Sequence, residues 1–306
     1  MPGEATLAGL ILSELRGTKE QREWAVAALA EHGPALLEQF CTALRHEVPA
    51  VRAAAAEALG ELGEARAVGP LREALEDPQE WVRWAAAMAL GRLGELAVPA
   101  LEDALQLPDP GVRRLAAKAL GQTGGSSAVP PLRQALGDPA WQVRQAASEA
   151  LGLLGARQAQ ADLCRALEDP HPAVRGAAAR ALGQVGDAQA MEPLGRAAVS
   201  PDWGLHWAAL QALRSLLERL AEEPQREALT ALRNLDRLGL DADLRRAVRQ
   251  ALRSLEAWLQ EVEGHLPAGA LSRTSGPAKP TPGPASLSRN PSEASRGPTS
   301  PRPREK

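Results

Sequence analysis

The sequence predicts an all-α protein made by stacking helical hairpins, an α-solenoid. A pattern, V-R-x-[AL]-A-[AS]-x-A-L-G-x-x-G, occurs five times, and its copies begin at Val51, Val82, Val112, Val143 and Val174. The starts are 31, 30, 31 and 31 residues apart, which is a period typical of stacked repeats. The composition agrees with helix, because the chain has no Tyr, a single Phe and a majority of helix-forming residues.

Each period predicts two helices. The apolar residues from Val51 to Leu62 recur every three or four residues, which places them on one face of a helix. A glycine at the end of each copy, such as Gly63 or Gly186, predicts the end of that helix. A shorter helix with proline in its first turn precedes the pattern, and an Asp-Pro turn joins the two. Weaker copies at Gln21–Leu29, Leu205–Leu213 and near the end extend the array. We therefore predict about eight hairpins over residues 1–263.

The composition changes after residue 263. Residues 264–306 are rich in Pro, Ser, Gly and Arg and carry seven basic and two acidic side chains, a net charge of +5. We expect this segment to be a disordered tail, because it has little apolar surface to bury. Thr281, Ser292 and Ser300 lie in short motifs typical of phosphorylation sites.

The charge, the cysteines and the N-terminal apolar run of residues 1–263 argue against some functions. Since the whole chain carries −3, residues 1–263 carry −3 minus 5, or −8, which argues against a nucleic-acid groove. Cys41 and Cys164 occupy the same position in repeats four units apart. At one helix-packing distance per repeat, the two cysteines are roughly 40 Å apart, too far for a disulfide. We therefore expect free thiols, which fit a reducing compartment. The apolar run at Leu7–Leu12 is too short for a signal peptide or a membrane span. We predict a monomeric cytoplasmic protein, possible also in the nucleus, and not a secreted one.

With an Asp-Pro turn before it, the repeated pattern resembles the HEAT repeat, and its short period is most similar to the subclass named after the phycobilisome lyases. The resemblance implies a right-handed solenoid whose second helices line the concave side. It also implies an ion-pair ladder between repeats, formed by the arginine of each copy and the aspartate of the turn. The ladder residues in this chain are Arg52, Arg83, Arg113, Arg144, Arg175, Asp77, Asp109, Asp138 and Asp169.

Comparison of the five copies separates positions that stay constant from positions that vary. The second, sixth and tenth residues after the pattern valine vary, and they lie opposite the apolar face. Aromatic residues, Met and Arg are enriched in interface cores, so we predict a protein-binding face there. The predicted partner-binding residues are Trp84, Met88, Arg114, Lys118, Trp207 and Gln211. Trp81, Trp141 and Trp203 precede the second helices and are expected to wedge between repeats as staples.

The predicted function is a non-enzymatic scaffold or adaptor that binds one or more proteins. One alternative is a lyase or metal-dependent modifying enzyme subunit of the HEAT class, and a second is a nucleic-acid-binding HEAT protein. Iron-binding HEAT hydroxylases carry His-Glu pairs within their second helices, whereas the His46-Glu47 dipeptide here falls in a predicted turn. We find no catalytic constellation, and we predict no metal and no cofactor.

Overall fold

A computed structural model describes residues 9–11, 13–14, 19–222, 228–240 and 242–265. The chain divides into two compact units, Met1–Val262 and Glu263–Lys306. The disordered tail was expected at residues 264–306, but residues 264–265 are still helical. The rest of that segment, with the candidate phosphorylation sites Thr281, Ser292 and Ser300, lies outside the described residues.

The described ranges contain fourteen α-helices: α1 (Lys19–Ala43), α2 (Pro49–Leu62), α3 (Val68–Ala74), α4 (Glu80–Arg92), α5 (Val98–Ala104), α6 (Pro110–Gln122), α7 (Val129–Ala135), α8 (Trp141–Leu153), α9 (Gln160–Ala166), α10 (Pro172–Val185), α11 (Met191–Ala197), α12 (Trp203–Glu222), α13 (Ala228–Asp236) and α14 (Ala242–His265). A 3-10 turn precedes each short first helix from α3 to α11. The even-numbered second helices from α2 to α12 pack on one another in chain order. This arrangement confirms the predicted α-solenoid.

The N-terminal end differs from the prediction. The weak copy at Gln21–Leu29 was expected to form its own second helix, followed by a turn. Instead, α1 runs unbroken from Lys19 to Ala43 and includes both that copy and the first helix of the next repeat. The described residues therefore form seven helix pairs, from α1–α2 to α13–α14.

Glycine within the pattern sets how closely the second helices approach. A Cβ atom on Gly121 of α6 would lie 2.7 Å from the Cβ atom and 2.8 Å from the Cα atom of Ala150 in α8. Similar close approaches join other neighbours: Gly60 to Ala89, Gly152 to Ala181, and Gly183 to Ala212. A larger residue at these positions would push the two helix backbones apart.

The junction between α4 and α6 departs from this rule. A Cβ atom on Gly91 would first meet the side chain of Gln122, at 2.7 Å from Oε1, and then the carbonyl oxygen of Ala119 at 3.2 Å. Gly152 also meets a glutamine side chain first, Oε1 of Gln184 at 2.5 Å, but there the Cα atom of Ala181 follows at 3.0 Å. At Gly91 the nearest backbone atom is a carbonyl oxygen and lies farther away.

The glycines that end the second helices are of two kinds. Gly63, Gly94, Gly124 and Gly155 have φ values of 73°, 65°, 74° and 64°, in the left-handed region that favours glycine. Gly186 was expected to match them, but its φ is −67° and its backbone is extended. Its carbonyl instead accepts a hydrogen bond of 3.0 Å from Arg219 Nη2 of α12, so a side chain of the next repeat holds this helix end.

Candidate functional site

An Arg–Asp ladder joins most neighbouring repeats, and we call each pair a rung. Arg113 holds Asp138 with two hydrogen bonds, Nε to Oδ2 at 2.7 Å and Nη2 to Oδ1 at 2.9 Å. Two other rungs have the same bidentate geometry: Arg52 with Asp77 and Arg144 with Asp169. The predicted ladder is thus present at these three junctions.

Every ladder arginine also ties down the turn before its own helix. Arg113 Nη1 donates to the carbonyl oxygens of Leu107 at 2.9 Å and Pro108 at 2.8 Å. The arginines at Arg52, Arg83, Arg144 and Arg175 make the corresponding two bonds to the carbonyls six and five residues earlier. One guanidinium therefore links its own turn and the turn of the next repeat.

The rung side chains are largely buried, and the pKa values of their carboxyl groups are lowered. The Asp138 side chain is 9% exposed, and this burial disfavours its charged form. Hydrogen bonds from Arg113 and from the backbone N–H of Ala140 outweigh the burial, so the pKa of Asp138 lies below its usual value. The pKa values of Asp77 and Asp169 are lowered in the same way by their own partners.

The ladder is interrupted at Arg83, where the prediction was wrong. Asp77, Asp138 and Asp169 precede the next pattern valine by five residues, but Leu107 occupies that position before Val112. Arg83 donates through Nη1 to its own turn, while its Nε is buried and has no hydrogen-bond partner among the described residues.

Asp109 was expected to be the missing partner, but it has another role. It lies three residues before Val112 and caps α6, its Oδ1 accepting from the N–H of Gly111 at 2.7 Å. The pKa of Arg113 is raised mainly by its hydrogen bond to Asp138, and the charge of Asp109 adds to this effect. Asp109 therefore acts on its own repeat.

A rung that the sequence reasoning missed joins Arg175 to Asp202. Asp202 accepts from Arg175 Nε at 3.2 Å and also contacts its Nη2, while its Oδ1 accepts from the N–H of Gly204. The hydrogen bond from Arg175 lowers the pKa of Asp202. The Pro201-Asp202 order, reversed from the Asp-Pro turns, hid this residue. Its spacing did not reveal it either, because Asp202 lies three residues before the pattern position of Leu205, whereas the other rung aspartates lie five residues before theirs.

Variable positions of the second helices from α4 to α12 that are not buried form a set, which we call the ridge: Trp84, Met88, Arg92, Arg114, Lys118, Gln122, Gln145, Glu149, Leu153, Arg180, Gln184, Trp207 and Gln211. Side chains of adjacent helices touch at two places in it. Gln122 Nε2 lies 3.3 Å from Met88 Sδ, and Arg180 Nη2 lies 3.5 Å from Glu149 Oε1. Arg92 extends the surface toward α2 through an ion pair of 2.6 Å with Glu61.

The predicted binding residues divide between the two ends of the ridge. Trp84 and Trp207 are both 52% exposed, an unusual position for so large an apolar side chain. Met88 is half-buried beside Trp84 on α4, and Gln211 is exposed one turn from Trp207 on α12. Arg114 and Lys118 lie on α6, so the structure brings them next to Trp84 and Met88 but leaves three junctions between α6 and α12.

The three expected staples have different environments. Trp141 is half-buried and stacks on His171 of the next repeat, with ring centroids 3.8 Å apart and planes 5° apart, so it does connect two repeats. Trp203 was expected to do the same, but it is 75% exposed and stacks on His206 of its own helix. Trp81 is 40% exposed, at the start of α4. The aromatic surface of the ridge therefore extends to Trp203 at one end and Trp81 at the other.

Two grooves lie on the side of the first helices. Cys164 lines one of about 410 Å³ and Cys41 lines one of about 190 Å³. Both thiols are free. Burial, followed by a nearby carboxylate, raises the pKa of each thiol, and a raised pKa lowers the fraction of reactive thiolate.

The described residues lack two kinds of feature. They contain no group of three His, Cys, Asp or Glu side chains arranged to hold a metal ion. Within the same ranges, no helix combines the length and the apolar character needed to cross a membrane.

Stacked helix pairs joined by a ladder and presenting a side-chain ridge define the class of α-solenoid repeat proteins. The HEAT-repeat family matches six overlapping segments of the chain, residues 10–91, 37–108, 70–152, 98–170, 129–214 and 161–253. The chain belongs to the HEAT-repeat family.

Solved structures with similar chains include the complex of CpcE and CpcF of phycocyanin lyase from Nostoc sp. PCC7120. That similarity has 26% identity and a TM-score of 0.38 and covers 75% of this chain and 93% of that one. An engineered protein is 18% identical with a TM-score of 0.45, over 83% of each chain. No curated protein sequence matches the chain.

Proposed function

We propose that this protein is a non-enzymatic scaffold that binds a partner protein along the ridge. The observation that carries the proposal is the exposure of Trp84 and Trp207 at equivalent positions of the ridge, most of whose other members are polar. An exposed Trp on a rigid helix loses little entropy on binding, and such residues dominate the energy of protein interfaces.

The surroundings of these rings support a binding role over a packing role. The apolar face of each second helix is filled by Ala and Leu residues with at most a few per cent exposure, such as Leu120 and Ala150. The stack therefore reaches close packing without either ring. Truncation of an exposed ring should cost little stability, whereas truncation of an interface anchor costs a large part of the binding energy.

The test combines binding and stability measurements on full-length protein. The Trp84→Ala/Trp207→Ala double variant should lose its partners in quantitative affinity purification, with unfolding free energy unchanged within about 0.5 kcal/mol. Leu96→Ala is the matched control, because Leu96 is 55% exposed but lies in the 3-10 turn Gly94–Ala97, away from the ridge. A photocrosslinker at Gln211 should capture the same partners, and one at Leu96 should not. A large loss of stability in the double variant would assign the rings to packing.

The two alternatives make different predictions. A lyase subunit, as in the CpcE–CpcF complex of phycocyanin lyase, should copurify with a chromophore. A metal-dependent modifying enzyme subunit should copurify with a metal. A nucleic-acid-binding protein should retain DNA or RNA in a salt-sensitive manner through Arg114, Lys118 and Arg180. The net charge of −8 over residues 1–263 weakens that second alternative.

A further inference from the structure

The part of the ridge over α4 and α6 has two parallel rows of side chains with different chemistry. Trp84 and Met88 lie one turn apart on α4, and Arg114 and Lys118 lie one turn apart on α6. Packed helices are about 8–10 Å apart, so the rows are separated by roughly the width of one further helix. An apolar row therefore runs beside a cationic row, and the contact of Gln122 with Met88 connects the two helices.

The cations of the ridge differ in how far they are neutralised. Arg92 is closely paired with Glu61 at 2.6 Å. Arg114 lies 3.3 Å from Glu80, whose side chain is 72% exposed, and an ion pair so open to water is weak and easily exchanged. Lys118 is exposed and has no carboxylate within 4.0 Å among the described residues. The charge available to a ligand on this part of the ridge is therefore positive.

We propose that these two rows bind an acidic amphipathic helix of a partner protein, an inference that rests on the ridge being the binding surface. The aliphatic stripe of the partner helix would lie on Trp84 and Met88, because Trp supplies anchoring area and Met adapts to the shape of its partner. Carboxylates on the flank of that helix would accept from Arg114 and Lys118. Apolar contacts would anchor the helix and charge would fix its orientation.

A polynucleotide fits the same surface less well. Binding a phosphate chain requires a run of cations that it can neutralise in succession. Along the ridge, Glu61 neutralises Arg92, and the next cation beyond Lys118 is Arg180, beside Glu149. The positive charge is thus local, and its neighbours are apolar side chains.

Fluorescence anisotropy of the full-length chain with synthetic probes tests the proposal. Three labelled helical peptides share one length: a Leu stripe flanked by Glu, the same stripe flanked by Lys, and the Glu peptide with Ser in place of Leu. A single-stranded RNA is the fourth probe. We expect the Leu/Glu peptide to bind at least about tenfold more tightly than the other three at low salt, with a smaller ratio at high salt.

Charge reversal is the decisive variant. Arg114→Glu/Lys118→Glu should weaken the Leu/Glu peptide about tenfold and strengthen the Leu/Lys peptide. The matched control is Arg66→Glu, the same change at an arginine that is 67% exposed in the 3-10 turn Ala65–Ala67, and it should leave both affinities unchanged.

The remaining outcomes separate this inference from the proposed function. If Trp84→Ala abolishes peptide binding but charge reversal leaves the affinity unchanged, the ridge is the binding surface and the proposed preference for an acidic helix is wrong. If both variants bind like the wild type, the binding surface itself is misplaced. Tighter binding of the Leu/Lys peptide or of the RNA, or no binding of any probe, would overturn the inference.

Discussion

Two successive junctions of this solenoid are built from the same repeat pattern and are held together differently. Between α6 and α8, Gly121 lies against the backbone of Ala150, and Arg113 holds Asp138 in a bidentate rung. Between α4 and α6, the side chain of Gln122 lies over the pattern glycine, and the Nε of Arg83 has no partner among the described residues. The two helices also approach each other over a shorter length.

The difference shows that the pattern specifies the helices but not the strength of their junctions. At the α4–α6 junction, exposed contacts such as Arg114 to Glu80 and Gln122 to Met88 connect the helices where a rung does so elsewhere. A buried polar atom without a partner costs about 1–3 kcal/mol. We therefore expect this junction to be the weakest of the regular array, and it is also the one that carries Trp84 and Met88.

Alanine at the pattern glycine should give the largest contrast. Gly121→Ala places a Cβ atom 2.8 Å from a backbone atom of α8, and overpacking against backbone should cost about 3 kcal/mol. Gly91→Ala would meet a flexible side chain that can move, and the helix preference of Ala offsets part of its cost, so we expect a loss near 1 kcal/mol. Urea unfolding followed by circular dichroism measures both, and equal losses would contradict the distinction between the junctions.

Removal of one carboxylate should come next in size. Asp138→Asn leaves Arg113 without its charged partner in a layer where the carboxylate was 9% exposed, a loss of about 2–3 kcal/mol. Asp109→Asn is the matched control, because Asn also caps helices and Asp109 belongs to no rung, and it should stay within about 0.5 kcal/mol. A comparable loss in Asp109→Asn would show that Asp109 does support the α4–α6 junction.

Completing the interrupted rung should stabilise the protein. Leu107→Asp supplies a carboxylate at the position that Asp77, Asp138 and Asp169 occupy in their own repeats. We expect a net gain of about 1 kcal/mol, because the new charge-assisted hydrogen bonds outweigh the loss of partly buried Leu packing. Leu107→Asn separates charge from size and should give no gain. Destabilisation by Leu107→Asp in the presence of Arg83 would mean that the guanidinium cannot accept a partner there.

The smallest expected effect is a pH dependence of that gain. The pKa values of the rung aspartates lie below their usual range, so their stabilisation is present above about pH 4 and is lost as the pH falls through the lowered value. The advantage of Leu107→Asp over the wild type should follow the same course and vanish as the pH falls through the lowered pKa of the new carboxyl group. Thermal unfolding of both proteins across this range is the measurement, and an advantage that persisted at acid pH would have to arise from something other than a rung.

The local sequence was sufficient to predict the helices but not to predict which side chains pair between neighbouring repeats. The spacing of apolar residues and the glycine ends predicted the second helices from α2 to α12 because helix periodicity is a local property. The Asp109-Pro110 dipeptide resembles the other Asp-Pro turns, yet it lies two residues closer to its pattern valine than they do. Asp202 lies equally close to the pattern position of Leu205 and still reaches Arg175, so neither the dipeptide nor its spacing decides whether an aspartate forms a rung.

The tryptophans were equally hard to place from sequence. Trp141 and Trp203 both precede the pattern position by two residues, but one stacks on His171 of the next repeat and the other stands 75% exposed. Their environments differ because the next repeat places an aromatic ring, that of His171, beside Trp141. A position in a repeat predicts a direction for a side chain, while its burial is decided by the neighbouring repeat.

The recurrence of the same bonds at a constant interval makes the repeats exchangeable units. Excision of residues 82–111 would join Trp81 to Val112 and leave the Arg52–Asp77 and Arg113–Asp138 rungs in their normal register. The segment removed contains Arg83 and Leu107, the two halves of the interruption, together with Trp84 and Met88. The weak junction and the aromatic end of the ridge thus belong to one cassette, which can be deleted, duplicated or transplanted as a whole.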